Sequence, residues 1–459
     1  MKQMSLRAIV MLIISGVFLA GLIVFCCFYV TDASDWALYP ANTHLFNDGQ
    51  ISRAGKITDR NGTVLAQTVD GERIYNDSRS IRRATLHAVG DLDGFIKTGL
   101  QSQYLGALCD YNLIDGVYQL QNTGNDLQTT LDADVCATAL EGLGNDAGTV
   151  GVYNYKTGEV ICMVSTPTYD IEDADDVQKA KDGAYAGVYI NRFLSATYTP
   201  GSTFKIITAA AGIDTFSDIY EREYVCRGGV EIDGEWVSCM GYHGTQTLTE
   251  AFAHSCNAYF SQLAVDVGQQ KLDDFAQKAG FNQSFSMDGI SAATSFFDIS
   301  ATRDIDLAWA GMGQFTNMMN PLQYITMLGG IANGGSTPNP YMVESITSPM
   351  GIPLHMNLFR GSTTVFDSKI CAEVTELMRN AVKNNYGTWR FPGLDVCAKS
   401  GTAEVGEDQT PHSVFVGFTT DEDLPLAFVV LVEHGGAGSS RACNIAASVL
   451  QSAREHVVF

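Results

Sequence analysis

From Ala8 to Val30 the chain runs 23 residues without a charged side chain. As a helix rising about 1.5 Å per residue, that run is long enough to cross a hydrocarbon core of roughly 30 Å. Lys2 and Arg7 precede it and Asp32 and Asp35 follow. The positive-inside bias therefore predicts a cytoplasmic tail at residues 1–7, a single-pass transmembrane signal anchor at residues 8–30, and everything after it outside the cell. A cleavable signal peptide is the alternative, but its apolar region is shorter and no A-x-A-like site follows here. Bulky Val24 and Phe25 before Cys26 argue against a lipoprotein signal. Residues 31–125 are mixed and polar, with short apolar runs at Thr63–Ala66 and Phe95–Leu105 between Gly and Asp turns, the texture of a small membrane-proximal domain.

The texture changes near Asn125, and residues 126–459 read as one larger domain. Gly148–Tyr155 and Glu159–Thr166 are apolar strands around a Lys156-Thr157-Gly158 hairpin turn. A long helical middle is predicted from about Ser202 to Ile331. Strand patterns return at Asp395–Ala398, Ser413–Phe418 and Leu426–Val432, bracketed by helices Ser368–Asn384 and Ala442–Val458. The simplest architecture is α/β, a sheet of N- and C-terminal strands between helices with an inserted helical region. No period of 20–50 residues repeats, which excludes a solenoid.

A chain of 459 residues exceeds one compact core, and 46% apolar with 17% charged residues is a globular rather than a disordered composition. The formal charge of -23 excludes nucleic acid as a partner, because phosphate binding needs clustered Lys and Arg. Of eleven cysteines, Cys26 and Cys27 lie in the span, leaving an odd nine outside. Cys226 and Cys239 bracket a Gly-rich, hairpin-like segment, CRGGVEIDGEWVSC, and are the best-placed pair for a disulfide; two free thiols are the alternative. No C-x-x-C pair or His-x-x-x-His cluster occurs, so the spacing of a structural zinc site is missing and no metal or cofactor is expected.

Three short stretches carry chemistry. In YTPGSTFK, Pro200 and Gly201 punctuate the chain before an apolar helix, placing Ser202 at its N-terminus and Lys205 three residues on, on the same face. A partly desolvated lysine can take a serine proton, and a helix N-terminus favours a developing oxyanion. The bland alternative is an N-cap and a surface lysine. In HSCNAYF, Ser255 and Asn257 project together only from a turn, which suits a proton-relaying hydroxyl and a substrate-holding amide, or a second N-cap. In VCAKSGTAE, a strand leads into Lys399, Ser400, Gly401 and Thr402. Together these offer a cation, a close backbone approach and two hydroxyls to a carboxylate, or only a basic strand end.

S-x-x-K, S-x-N and K-S/T-G in this order, about 50 and then about 145 residues apart, form the set that marks the penicillin-recognising serine enzymes. With LQTTLD, NRFLSATYTPGSTFK, HGTQTLTEAFAHSCNAYF, IANGG, KSGTAE and HSVFVGF, the chain resembles class B penicillin-binding proteins from about Leu127 to its C-terminus. RAGKITDRNGTVLA and His87–Gly90 extend the likeness more weakly toward the membrane. The resemblance implies a penicillin-binding transpeptidase sandwich, an antiparallel sheet between helices with a helical subdomain. It implies Ser202 as acylated nucleophile, Lys205 as base, Ser255 as proton relay, Asn257 as substrate-orienting amide and Lys399 as electrostatic partner of Ser255. Ser400 and Thr402 would bind the substrate carboxylate beside Gly401, and the N–H groups of Ser202 and Thr402 would form the oxyanion hole. The implied activity is D,D-transpeptidation of peptidoglycan stem peptides, with acylation by β-lactams. Implied partners are membrane lipid and a SEDS-type glycosyltransferase or another divisome or elongasome component. A D,D-carboxypeptidase, a β-lactam sensor and a β-lactamase are the rival readings, and too few residues precede Leu127 for a bifunctional glycosyltransferase.

Overall fold

The computed structural model describes every residue except 1, 40, 41, 44, 48, 49, 92, 119–122, 175, 176, 178–184, 301, 302, 359, 360, 405, 407, 408 and 459. One helix, Lys2–Ala37, contains the apolar stretch Leu6–Ser34, long and apolar enough to cross a membrane and not buried by the rest of the chain. It extends beyond the expected span at both ends.

Residue 125 borders a strand of a six-stranded sheet. The strand order is Pro353–Met356, Val343–Thr347, Asp126–Thr129, Ile57–Thr58, Val64–Val69 and Glu72–Tyr75. Ile57–Thr58 runs parallel to Asp126–Thr129, so the membrane-proximal residues and the larger region share one hydrogen-bonded ladder. Helix Arg79–Val89, capped by Ser78, packs on helix Ala133–Leu143 and strand Val160–Thr166. Its buried Arg82 forks onto both oxygens of Asp170 at 2.8 Å, geometry that satisfies two desolvated charges at once.

The central sheet is antiparallel, in the order Val396–Ala403, His412–Thr419, Leu426–Val432, Gly148–Asn154 and Val160–Thr166. Every residue of the last three strands is buried. Helices Ala133–Leu143 and Arg441–His456 cover one face and Pro321–Ala332 and Ser368–Ala381 the other, which is why these strands read as continuous apolar runs rather than alternating ones. Val396–Ala403, carrying Lys399, is one of the two edge strands.

The middle of the chain is helical, as expected, apart from interruptions that include the short hairpin Ser286–Met287/Ile290–Ser291 and a longer stretch between Thr215 and Leu248. There, Tyr224–Cys226 pairs with Gly244–Gln246 and encloses the hairpin Gly229–Ile232/Glu235–Ser238. Asp233 (φ 53) and Gly234 (φ 77) make its mirror-image turn, the form that matches strand twist. Helix Ser368–Ala381 ends in a π-turn, Val382–Tyr386, where a longer α-helix was expected.

Candidate active site

Ser202 lies in a 3-10 turn, Gly201–Phe204, that runs directly into helix Lys205–Thr215. The α-helix therefore starts later than expected, but three residues per turn aligns Ser202 with Lys205 more closely than an α-helix would. Phe204, stacked on Phe297 at 5.2 Å and set edge-on to Phe281 at 5.6 Å, fixes the turn in the core. Gly201 (φ +54) donates its N–H to Gly313 O at 3.0 Å. A Cβ on Gly201 would stand 2.8 Å from Thr402 O, and one on Gly313 would overlap Gly201 O, so both positions exclude a side chain.

Lys205 and Lys399 are both fully buried. Lys205 Nζ donates to Ser255 O and Asn257 Oδ1 at 2.7 Å, and lies 3.4 Å from Ser255 Oγ. Lys399 Nζ donates to the same Ser255 Oγ at 2.8 Å and to Ser400 O at 2.9 Å. One hydroxyl thus stands between two amines. Burial pulls Lys205 down to about 8. Burial, then the charge of Lys205, carries Lys399 well below its ordinary value. Two unshielded ammonium groups in one dry site repel, so the pair readily gives up a proton and gains a free base.

Ser255 caps helix Leu248–His254 in the left-handed region (φ 56, ψ 40), and helix Asn257–Val267 begins two residues later. The turn between the helices is what projects Ser255 and Asn257 together, as their spacing requires. Asn257 Nδ2 donates to Ser238 O at 3.0 Å, tying the turn to the hairpin.

Along Val396–Ala403 the pleat sends side chains to alternate faces: Lys399 and Gly401 are buried, Ser400 and Thr402 half-buried. A cleft of about 200 Å³ is lined by Ser202, Ser255, Asn257, Ser400 and Thr402, among others. The structure thus brings every proposed catalytic and substrate residue to one cleft or its wall. Sequence reasoning missed Tyr386, whose buried hydroxyl accepts the Ser400 N–H and bonds Ser400 Oγ, both at 3.0 Å. Burial raises its pKa and keeps it a phenol that orients Ser400. No sequence signal marks the π-turn that aims it.

The expected Cys226–Cys239 disulfide is absent: both thiols are free. Cys226 ends an outer strand paired with Gly244, whereas Cys239 follows the inner hairpin, and each sulfur approaches His243 Nδ1 at 3.5 Å. Cys256 Sγ lies 3.9 Å from Cys239 Sγ. A disulfide needs about 2.05 Å between sulfurs. Motif spacing gave no sign of this four-donor group, because Cys226, Cys239, His243 and Cys256 come from separate segments and meet only in the fold.

The family model described as the penicillin-binding protein transpeptidase domain matches residues 148–451. Peptidoglycan D,D-transpeptidase PbpA of Mycolicibacterium smegmatis is 28% identical over 437 residues, 86% of this chain and 87% of that protein. Stage V sporulation protein D of Bacillus subtilis is 29% identical over 340 residues, covering 69% of this chain and 51% of its own. Among solved structures, the imipenem acyl-enzyme complex of penicillin-binding protein A from M. tuberculosis superposes with a TM-score of 0.77 at 25% identity, over 88% of this chain and 99% of that one. With two thirds of its length under the family model and the three motifs gathered at one cleft, the chain belongs to the penicillin-binding protein transpeptidases, in class B.

Proposed function

We propose that the chain is a membrane-anchored peptidoglycan D,D-transpeptidase that works through an acyl-enzyme on Ser202. The observation that carries this reading is the Ser255 hydroxyl held between Lys205 and Lys399 in the wall of the cleft that Ser202 lines. Relatives named as D,D-transpeptidases, and a neighbouring fold captured as an imipenem acyl-enzyme, support it.

In the acylation half, Ser202 Oγ gives its proton to neutral Lys205 and attacks the carbonyl carbon between the two D-Ala residues of a stem peptide. Ser202 and Thr402 N–H groups stabilise the oxyanion. As the C–N bond breaks, the proton passes from Lys205 through Ser255, with Lys399 as its electrostatic partner, to the departing amine, and D-Ala leaves. In the transfer half, an amine on a neighbouring stem peptide loses a proton to the same chain, attacks the ester and restores Ser202. Asn257 orients the donor peptide, while Ser400 and Thr402 donate to its terminal carboxylate near Lys399, with Gly401 permitting close approach. A β-lactam opens without expelling a leaving group, so its acyl-enzyme stalls.

The tail at residues 1–7 lies in the cytoplasm, residues 8–30 span the lipid, 31–125 form a membrane-proximal unit, and 126–459 act outside. A SEDS-type glycosyltransferase, or a divisome or elongasome partner in the same membrane, would supply new glycan strands. Fluorescent penicillin labelling with peptide mapping should place the label on Ser202, and Ser202→Ala should abolish it. Undiminished labelling of that variant overturns the assignment. Products from a defined donor and amine acceptor separate transpeptidation from transfer to water, and external protease on spheroplasts should digest the chain beyond about Thr31.

A further inference from the structure

Behind the turn that carries Ser255 and Asn257, four soft donors converge. Cys226 Sγ and Cys239 Sγ each lie 3.5 Å from His243 Nδ1, Cys239 Sγ lies 3.9 Å from Cys256 Sγ, and all four donor atoms fall within 4.8 Å of one another. A tetrahedral zinc ion with Zn–S of about 2.3 Å and Zn–N of about 2.0 Å has S···S edges near 3.8 Å and S···N edges near 3.5 Å. These three separations match those edges, and the sulfurs of Cys239 and Cys256 are far from any covalent S–S distance. Cys226 and Cys256 are buried and the other two donors half-buried, so the group is closed on its inner side.

The surroundings hold these donors in place. The His243 ring stacks on His254 at 5.3 Å, nearly parallel, and His254 Nδ1 bonds Gln246, which fixes the face His243 presents. The Asn257 N–H donates to Cys239 Sγ at 3.3 Å, the kind of contact that supports a coordinating thiolate. Cys239 N–H closes onto Gly228 O at 2.9 Å, holding its sulfur over the outer hairpin.

We infer that Cys226, Cys239, His243 and Cys256 form a closed structural Zn²⁺ site that clamps the Tyr224–Gln246 hairpins onto the catalytic turn. Binding displaces the three thiol protons to solvent and leaves no open position on the metal. The ion takes no part in acylation; Cys256, flanked by Ser255 and Asn257, is a positioning residue that acts through them. That positioning role rests on the transpeptidase reading above, whereas metal binding does not. A left-handed serine between two helices is a conformation that needs outside support.

Metal analysis of the full-length protein purified in detergent, without added chelator, should find one zinc per chain. Loading with Co²⁺ instead should give the visible absorption bands of tetrahedral thiolate coordination. Cys226→Ser and His243→Ala, both away from the cleft, should lose the metal while circular dichroism still reports a folded chain, and penicillin acylation should slow by roughly tenfold or more. Ser202→Ala should keep its zinc and lose labelling, so failure of the catalytic assignment and failure of the metal site are read separately. If the single variants do not fold, release of zinc from the wild-type protein by a mercurial, followed photometrically, reads the same site. A metal-free protein whose unreduced mass shows two of these cysteines joined overturns the site. Zinc removal that leaves the acylation rate unchanged overturns the clamp.

Discussion

Lys399 and Ser255 are hydrogen-bonded to each other, yet the regions that deliver them are held together differently. Val396–Ala403 pairs with His412–Thr419 along its full eight residues, on a sheet buried by helices on both faces. The hairpins around Ser238 have strands of three and four residues and expose Trp236, Met240 and Tyr242. Apolar area stabilises the first region over a broad front; the second depends on short ladders, polar and sulfur contacts, and a narrower apolar contact through Val237 and Tyr224. The Lys399–Ser255 hydrogen bond, the proposed relay contact, thus joins one wall held broadly by packing to one held over a narrower front.

The largest effect expected is at the meeting point of the two regions. Lys205→Ala removes the base and its hold on Ser255 and Asn257, and penicillin acylation should fall by about 10²- to 10⁴-fold. A labelling rate within tenfold of wild type would remove Lys205 from the base role. On the packed side, Phe415 is fully buried, stacks between Phe391 and Phe428, and meets Tyr386 edge-on. Phe415→Ala should cost about 3–5 kcal/mol in denaturant unfolding, and a loss under 1 kcal/mol would mean that this sheet is not the firm half.

The same half has its own pH signature. Burial, despite a hydrogen bond from Nε2 to Val188 O at 2.8 Å, lowers His87 to about 4. The unfolded chain, titrating near 6.5, binds more protons below that pH. Stability should therefore be flat above about 6.5 and fall by up to about 3 kcal/mol as the pH drops toward 4. His87→Gln should flatten that slope, and an unchanged slope assigns the loss to other groups. Thr402→Val keeps the backbone N–H but loses a hydroxyl whose bond to a carboxylate is worth roughly 1.5–3 kcal/mol, so acylation by free-acid β-lactams should drop about 10- to 150-fold. Equal losses for esterified and free-acid compounds would show that Thr402 does not read the carboxylate. The smallest effect belongs to the hairpin: Trp236 is 55% exposed, and Trp236→Ala should change stability by less than about 1 kcal/mol. A cost rivalling that of Phe415→Ala would erase the contrast.

What could be read from the sequence follows the same division. The strands of the central sheet are apolar runs because both faces are covered, so periodicity found four of them within a residue or two, while the strand Val396–Ala403 was read to end five residues early, at Ala398, before the polar Lys399 and Ser400. The proposed catalytic residues lie in three contiguous motifs, two at turns and one on a strand, and the fold had only to bring them together. Tyr386 depended on a π-turn that no composition announces. His243 and Cys256 became neighbours of Cys226 and Cys239 only through the closure of two nested hairpins, so reading the pair that brackets one hairpin gave a disulfide where the fold makes a four-donor group. The parallel pairing of Ile57–Thr58 with Asp126–Thr129 joins segments about 70 residues apart, a long-range choice beyond any local signal.

Gly201 and Gly313 bear on how this protein can change under selection. The backbone around Ser202, the proposed nucleophile, is pressed against Thr402 and Gly313 so closely that one added methyl group at either glycine must shift the backbone of this turn or its neighbour. A lineage exposed to β-lactams therefore has little room to evade them by reshaping the nucleophile's own turn without losing the reaction on stem peptides. The affordable changes lie further out, among rim residues such as Met240 and Trp309 that line the cleft and whose side chains can vary without displacing Ser202.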